Sequence, residues 1–98
     1  MRVNIIELKQ ILNLLLNKLE NKYGEVLDLD VDFYWDIAFD EVYNPYEEPK
    51  NISLGQLSDD LDVITKLYYN SNNIVIYDLK RIAEILKAIS VNPAIGDI

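Results

Sequence analysis

Hydrophobic residues recur every three to four positions in three stretches of the chain, which is the spacing of one face of an α-helix. The first stretch covers about 4–22, where a leucine-rich row follows Asn4, a residue type common at helix N-termini. The second covers about 58–70, with Ser58 as its predicted N-cap, and the third covers about 77–90. The pattern therefore predicts three helices.

Residues 27–37, between the first two predicted helices, alternate strictly between apolar and polar side chains. The odd positions are all apolar and include Trp35, while the even positions hold four Asp and Tyr34. A period of two predicts an extended or β segment with one apolar and one acidic face. We expect the apolar face to pack on the helices, with Trp35 anchored in the core, and the acidic face to point outward.

Two further segments are less regular. Residues 38–57 predict a long connection, because two prolines interrupt them and no period is clear. Residues 74–77 fit either a short strand or the first turn of the last helix. Together these elements predict a helix-rich α+β fold, in which the three helices pack together with the 27–37 segment across them and residues 1–98 form a single domain. An all-α bundle is the alternative, since the pattern does not show whether 27–37 pairs as a strand.

Acidic residues are concentrated in the middle of the chain. Residues 25–62 hold 12 Asp and Glu against one Lys, within a chain whose net charge is −8. This charge argues against nucleic acids and anionic membranes as partners and favours a basic protein partner. No apolar run is typical of a signal peptide or a membrane span, and cysteine is absent, so we expect a cytoplasmic protein.

The residue types that most catalytic and metal chemistry uses are missing. The chain has no His and no Cys, which removes the imidazole base, the thiolate nucleophile and the commonest transition-metal ligands. The run Asp28-x-Asp30-x-Asp32 imitates the start of a calcium loop. However, Phe33 and Phe39 occupy the sixth and twelfth positions, where such a loop needs Gly and Glu. We therefore expect no enzymatic activity, no cofactor and no metal site.

Tyrosine and acidic residues together predict a protein-binding surface. Tyr is enriched at interfaces because it combines a large apolar area with a polar group. Carboxylates around Tyr attract the Lys and Arg side chains of a basic partner. The alternative interpretation is that the tyrosines cap the core and the acids form a solvated face. The predicted partner-binding residues are Asp28, Asp30, Asp32, Tyr34, Asp36, Asp40, Glu41, Glu47 and Glu48.

Two short motifs resemble other proteins. They are Asp32-Phe33-Tyr34-Trp35-Asp36-Ile37 and Leu54-Gly55-Gln56-Leu57-Ser58-Asp59-Asp60. They resemble the D-x-Y-W-x-I and G-Q-L-S-D-D pattern of a group of small acidic bacterial proteins without an established enzymatic activity. That group is similar in size and acidity to immunity proteins, which neutralise secreted bacterial toxins.

The resemblance implies a non-enzymatic, immunity-type protein that binds a basic toxin domain, such as a nuclease, through its acidic surface. The alternative is a structural or homo-oligomeric protein with no toxin partner. In that case the leucine-rich first helix would form a dimer interface. We expect a monomer or a weak homodimer.

Overall fold

Residues 1–92 are described by the computed structural model, and they form helices and one small sheet. The helices are α1 (Ile5–Tyr23), α2 (Phe39–Val42), α3 (Leu57–Thr65) and α4 (Tyr77–Ser90), the strands are β1 (Phe33–Ile37) and β2 (Ile52–Gln56), and two 3₁₀ turns cover Lys66–Tyr68 and Ser71–Asn73. The predicted helix-rich α+β fold is confirmed, and the all-α alternative is wrong. The expected single domain also includes residues 93–98, which lie outside the described part of the chain.

Strands β1 and β2 form a two-stranded antiparallel sheet. Its register pairs Phe33 with Gln56 at one end and Ile37 with Ile52 at the other. The predicted extended segment 27–37 is therefore a strand only over its last five residues. The prediction of an irregular connection over 38–57 is incomplete, because these residues include α2 and β2. Strand β2 is too short to show a clear period, and it is defined by its pairing with β1.

Helix α1 begins and ends as its sequence predicts. The Asn4 side chain accepts a hydrogen bond from the backbone N–H of Glu7 at 3.0 Å, which satisfies one of the unpaired donors of the first turn. The helix stops at Gly24, whose φ of 89° lies in the left-handed region that favours glycine. No residue of α1 is buried. None of the helices in residues 1–92 is long and apolar enough to cross a membrane.

The close packing between helices joins α3 to α4, whereas α1 has no comparable contact with another described element. The expectation of three helices packed together therefore holds only for α3 and α4. Leu57, at the start of α3, and Ala88, near the end of α4, are the buried apolar residues of the described chain. This apolar core is small, so polar contacts must contribute much of the stability of the rest of the fold.

The boundaries of α3 and α4 differ slightly from those predicted. Helix α3 begins at Leu57 and ends at Thr65, where a 3₁₀ turn replaces the predicted last turns. Residues 74–76 form neither strand nor helix, and α4 begins at Tyr77. Buried Asp78 fixes this start, because it accepts hydrogen bonds from the N–H of Val75 at 2.9 Å and from Arg81 at 2.6 Å. The hydrogen bond from Val75 lowers the pKa of Asp78 from its usual 3.8.

Candidate functional site

The Asp32 carboxylate joins the two sequence motifs. It accepts hydrogen bonds from the Gln56 side chain at 2.8 Å, from the N–H of Ser58 at 2.8 Å and from the Ser58 hydroxyl at 3.0 Å. These contacts lower the pKa of Asp32, and the bond from Gln56 contributes most. Ser58 is therefore not the N-cap of α3 as predicted. Asp32 supplies the capping acceptor from the residue before β1, and this ties the sheet to α3.

Tyr34 and Gly55 are directly opposite each other in the sheet. The Tyr34 ring lies so close to the Gly55 backbone that a Cβ at position 55 would overlap the ring atom Cζ. Glycine is needed at position 55 because no other residue leaves room for this ring. The contact directs the Tyr34 side chain across β2 and toward α3 and α4.

A polar network connects β1 to both of these helices. The Tyr34 hydroxyl donates to Asp60 at 2.7 Å and accepts from the Lys80 ammonium at 2.8 Å. Lys80 also pairs with Asp36 at 3.1 Å, and its side chain is only 13% exposed. Burial raises the pKa of Tyr34 to about 12. Burial opposes the charge on Lys80, but its hydrogen bonds to Tyr34 and Asp36 outweigh that effect and raise its pKa.

The orientation of β1 is therefore the opposite of the expected one. Tyr34 and Asp36 face the helices, while Trp35 is 73% exposed and its cross-strand partner Leu54 is 67% exposed. The prediction that Trp35 anchors the core is wrong. A period of two identifies two faces of a strand but does not tell which one the rest of the chain covers. Here α3 and α4 offer hydrogen-bonding side chains, so the polar face of β1 packs against them.

Glu41 closes the loop that follows α2. Its carboxylate accepts hydrogen bonds from the N–H of Lys50 at 2.7 Å, from the N–H of Asn51 at 2.9 Å and from the Asn51 side chain at 2.9 Å. The hydrogen bonds, led by that from the N–H of Asn51, lower the pKa of Glu41. Glu41 thereby fixes the two ends of the acidic loop, which we define as residues 43–50.

The nine predicted binding residues do not share one face. Four of them, Asp32, Tyr34, Asp36 and Glu41, contact other parts of the chain as described above. The side chains of the other five are exposed and make no hydrogen bond or ion pair within residues 1–92, and these five are Asp28, Asp30, Asp40, Glu47 and Glu48. Asp28 and Asp30 lie near the end of α4, whereas the other three belong to α2 and the acidic loop.

An apolar groove runs between β1, α2 and α4. It has a volume of about 500 Å³, and its lining includes Trp35, Ile37, Phe39, Val42, Tyr77 and Leu79. The rings of Phe39 and Tyr77 meet edge to face at 5.8 Å. The charged residues of its wall are paired, Asp36 with Lys80 and Glu84 with Lys87. The groove therefore presents mainly apolar contact area, which the alternation of β1 did not reveal.

The groove and the acidic loop form one continuous surface. Ile37 and Val42 line the groove and also a second hollow whose wall includes Tyr46, Glu47 and Glu48. We call this combined area the groove surface. It places large exposed aromatic side chains next to carboxylates that have no partner within residues 1–92. Such an arrangement suits contact with another macromolecule.

Comparisons of the chain with protein-family models, with curated proteins and with solved structures give no significant match. The candidate site is therefore defined by its own geometry. The resemblance of the two motifs to small acidic bacterial proteins stays a prediction. Within residues 1–92, no group of three or more acidic side chains is arranged to hold a metal ion.

Proposed function

We propose that the chain is a non-enzymatic interaction protein of immunity type, which binds a basic toxin domain in the cytoplasm and blocks its active site. The observation that carries this proposal is the exposure of Trp35 beside the groove. Exposing an indole to water costs free energy. Contiguous apolar patches on soluble proteins commonly mark interaction sites.

The aromatic residues of the groove surface supply the proposed contact area. Trp35, Tyr43 and Tyr46 are all exposed. Trp and Tyr are the residue types that most often dominate binding energy at protein interfaces, because they bury a large area and lose little rotamer freedom. In this proposal Trp35 inserts between side chains of the toxin domain, and the two tyrosines contact the rim of that interface.

The carboxylates supply the proposed attraction for a basic partner. Asp40, Glu47 and Glu48 lie on or near the groove surface, and Asp28 and Asp30 extend the negative field toward the end of α4. Charges of this kind speed encounter and fix orientation. Asp32, Tyr34, Asp36 and Glu41 take another role in this proposal, since they hold the framework that presents the surface.

The test measures binding to the purified product of the gene directly upstream, by calorimetry at low and at high salt. We expect 1:1 binding that weakens as salt increases. Trp35→Ala should weaken binding by on the order of tenfold to a hundredfold. Tyr69→Ala, which removes an even more exposed aromatic residue beyond α3, is the control and should leave the affinity within about threefold.

A charge-reversal set tests the electrostatic part. The variant D40K/E47K/E48K should weaken binding by on the order of tenfold or more and reduce its salt dependence. The control E25K/D59K/D62K makes the same change in net charge outside the groove surface. Equal effects of the two sets would show that only net charge matters. Absence of binding, or unchanged affinity in both W35A and D40K/E47K/E48K, would reject the proposed function.

A further inference from the structure

Helix α1 carries a regular apolar row against which no other described helix or strand packs closely. Ile5, Leu8, Leu12, Leu15 and Leu19 follow one another at alternating spacings of three and four residues, which is the pattern of a coiled-coil seam. Ile5, Leu8 and Leu15 are 76%, 53% and 46% exposed, and Leu12 and Leu19 are half-buried. This row spans Ile5 to Leu19 of the 19-residue helix, so the seam is about 21 Å long.

We propose that a second copy of this chain covers the seam, with the α1 helices of the two copies packed antiparallel. This inference does not depend on a toxin partner. In the antiparallel arrangement Leu8 of one copy lies opposite Leu19 of the other, and Leu12 lies opposite Leu15. Because the dimer has twofold symmetry, each of these contacts occurs twice. Four consecutive leucine layers then form the centre of the interface.

The charged residues beside the seam are complementary in this arrangement. In an antiparallel pair, each flank of the seam meets the same flank of the other helix. On one flank Lys9 faces Glu20 of the second copy, and on the other Glu7 faces Lys18. Each pair is within two residues of being level, or about 3 Å along the axis. All four side chains are exposed, so they can reach across the seam.

A parallel pair would be less favourable. It would place Lys22 of one copy against Lys22 of the other, since position 22 continues the seam row after Leu19. It would also align the two helix dipoles in the same direction. The antiparallel pair instead places Lys22 opposite Ile5, at the end of the interface, and so keeps the two Lys22 ammonium groups apart.

Charge exchange gives the first test, with the dimer constant measured by sedimentation equilibrium. The wild type should associate reversibly as its concentration rises. K9E and E20K should each weaken association roughly tenfold, because each turns two attractive pairs into repulsive ones. The double variant K9E/E20K should recover association, and an equimolar mixture of K9E and E20K should associate better than either variant alone.

This design separates specific pairing from general charge repulsion. K9E makes the acidic chain more negative and E20K makes it less negative, so repulsion between whole molecules would change association in opposite directions. Only the proposed pairing weakens both variants. The inference is overturned if the wild type is monomeric at every concentration, or if either single variant associates as the wild type does.

Helix orientation gives the second test. The chain has no cysteine, so a single introduced cysteine can carry a spin label. Labels at N13C lie near the centre of the antiparallel seam and should be close in the dimer. Labels at I6C should be separated by about 22 Å along the axis. Closely spaced labels at both positions would indicate a parallel pair and would reject the proposed arrangement. The circular dichroism of each labelled variant should match that of the wild type, which controls for folding.

Discussion

The ring of Tyr34 lies against the backbone of Gly55, its opposite residue on β2, in a space that any other side chain at position 55 would fill. This contact turns the Tyr34 hydroxyl toward Asp60 and Lys80. The Asp32 carboxylate makes a second connection between the same two segments, through its hydrogen bonds from Gln56 and Ser58. The two motifs that stand out in the sequence are thus two halves of one structural unit, which joins the sheet to α3.

Replacing Gly55 with Ala should lower the free energy of unfolding by about 1–3 kcal/mol. The added methyl group would displace the Tyr34 ring and weaken its hydrogen bonds to Asp60 and Lys80. Urea denaturation followed by circular dichroism measures the loss. Ser53→Ala, on the same strand and exposed, is the control and should change stability by less than about 0.5 kcal/mol. If G55A is equally harmful when Tyr34 is already Ala, this explanation is incorrect.

Lys80→Met should destabilise the fold more than Lys87→Met. Lys80 is largely buried and holds Tyr34 and Asp36 at hydrogen-bonding distance, so its loss removes the donor to the Tyr34 hydroxyl and leaves Asp36 without its ion-pair partner. The expected cost is about 1–3 kcal/mol. Lys87 is 73% exposed and 3.7 Å from Glu84, and an ion pair whose cation stays in water contributes less than about 1 kcal/mol. Thermal unfolding of both variants provides the measurement, and equal losses would show that the Lys80 network contributes little.

The helices were predictable from the sequence because local information defines them. The leucine row of α1, its Asn4 cap and its Gly24 stop are all encoded within a few residues of one another. The start of α3 was shifted because its capping acceptor comes from Asp32, which is 26 residues away from Ser58. Strand β2 was missed for a similar reason, since its pairing with β1 is a contact between distant segments.

The candidate site was only partly predictable. The acidic, tyrosine-bearing middle of the chain was evident, and five of the predicted binding carboxylates are exposed and without a partner within residues 1–92. The exposure of Trp35 could not be read from the alternation of β1, because both faces of that strand had plausible partners. Hydrogen bonds to Lys80 and Asp60 decide which face turns inward. Apolar periodicity alone could not show this. It also could not show that no helix or strand within residues 1–92 packs closely against α1.

Acid should destabilise the protein partly through Asp78. The folded-state pKa of Asp78 is lowered from 3.8 by its hydrogen bond to the N–H of Val75. The stabilisation is therefore fully present above about pH 4 and is lost as the pH falls through the folded-state pKa. Asp78→Asn should be less stable at neutral pH and should lose less stability on acidification.

The control for Asp78 is Asp40→Asn, which changes an exposed carboxylate without a hydrogen bond in the described structure. It should follow the wild-type curve of stability against pH. Denaturation at a series of pH values gives these curves for the three proteins. If the stability of D78N declines in acid as steeply as that of the wild type, the acid sensitivity comes from Asp32, Glu41 or another carboxylate instead.

Replacing Trp35 with Ala should leave folding nearly unchanged, with a loss below about 1 kcal/mol, because the indole is 73% exposed. Leu57→Ala should cost about 2–5 kcal/mol, because Leu57 is one of the few buried apolar side chains in residues 1–92.

Trp35 is the single tryptophan of the chain, so its fluorescence reports on this site alone. Its emission should be that of a water-exposed indole and should be quenched readily by iodide. A blue-shifted, protected emission, together with a large loss of stability in W35A, would place Trp35 in the core and contradict the orientation of β1.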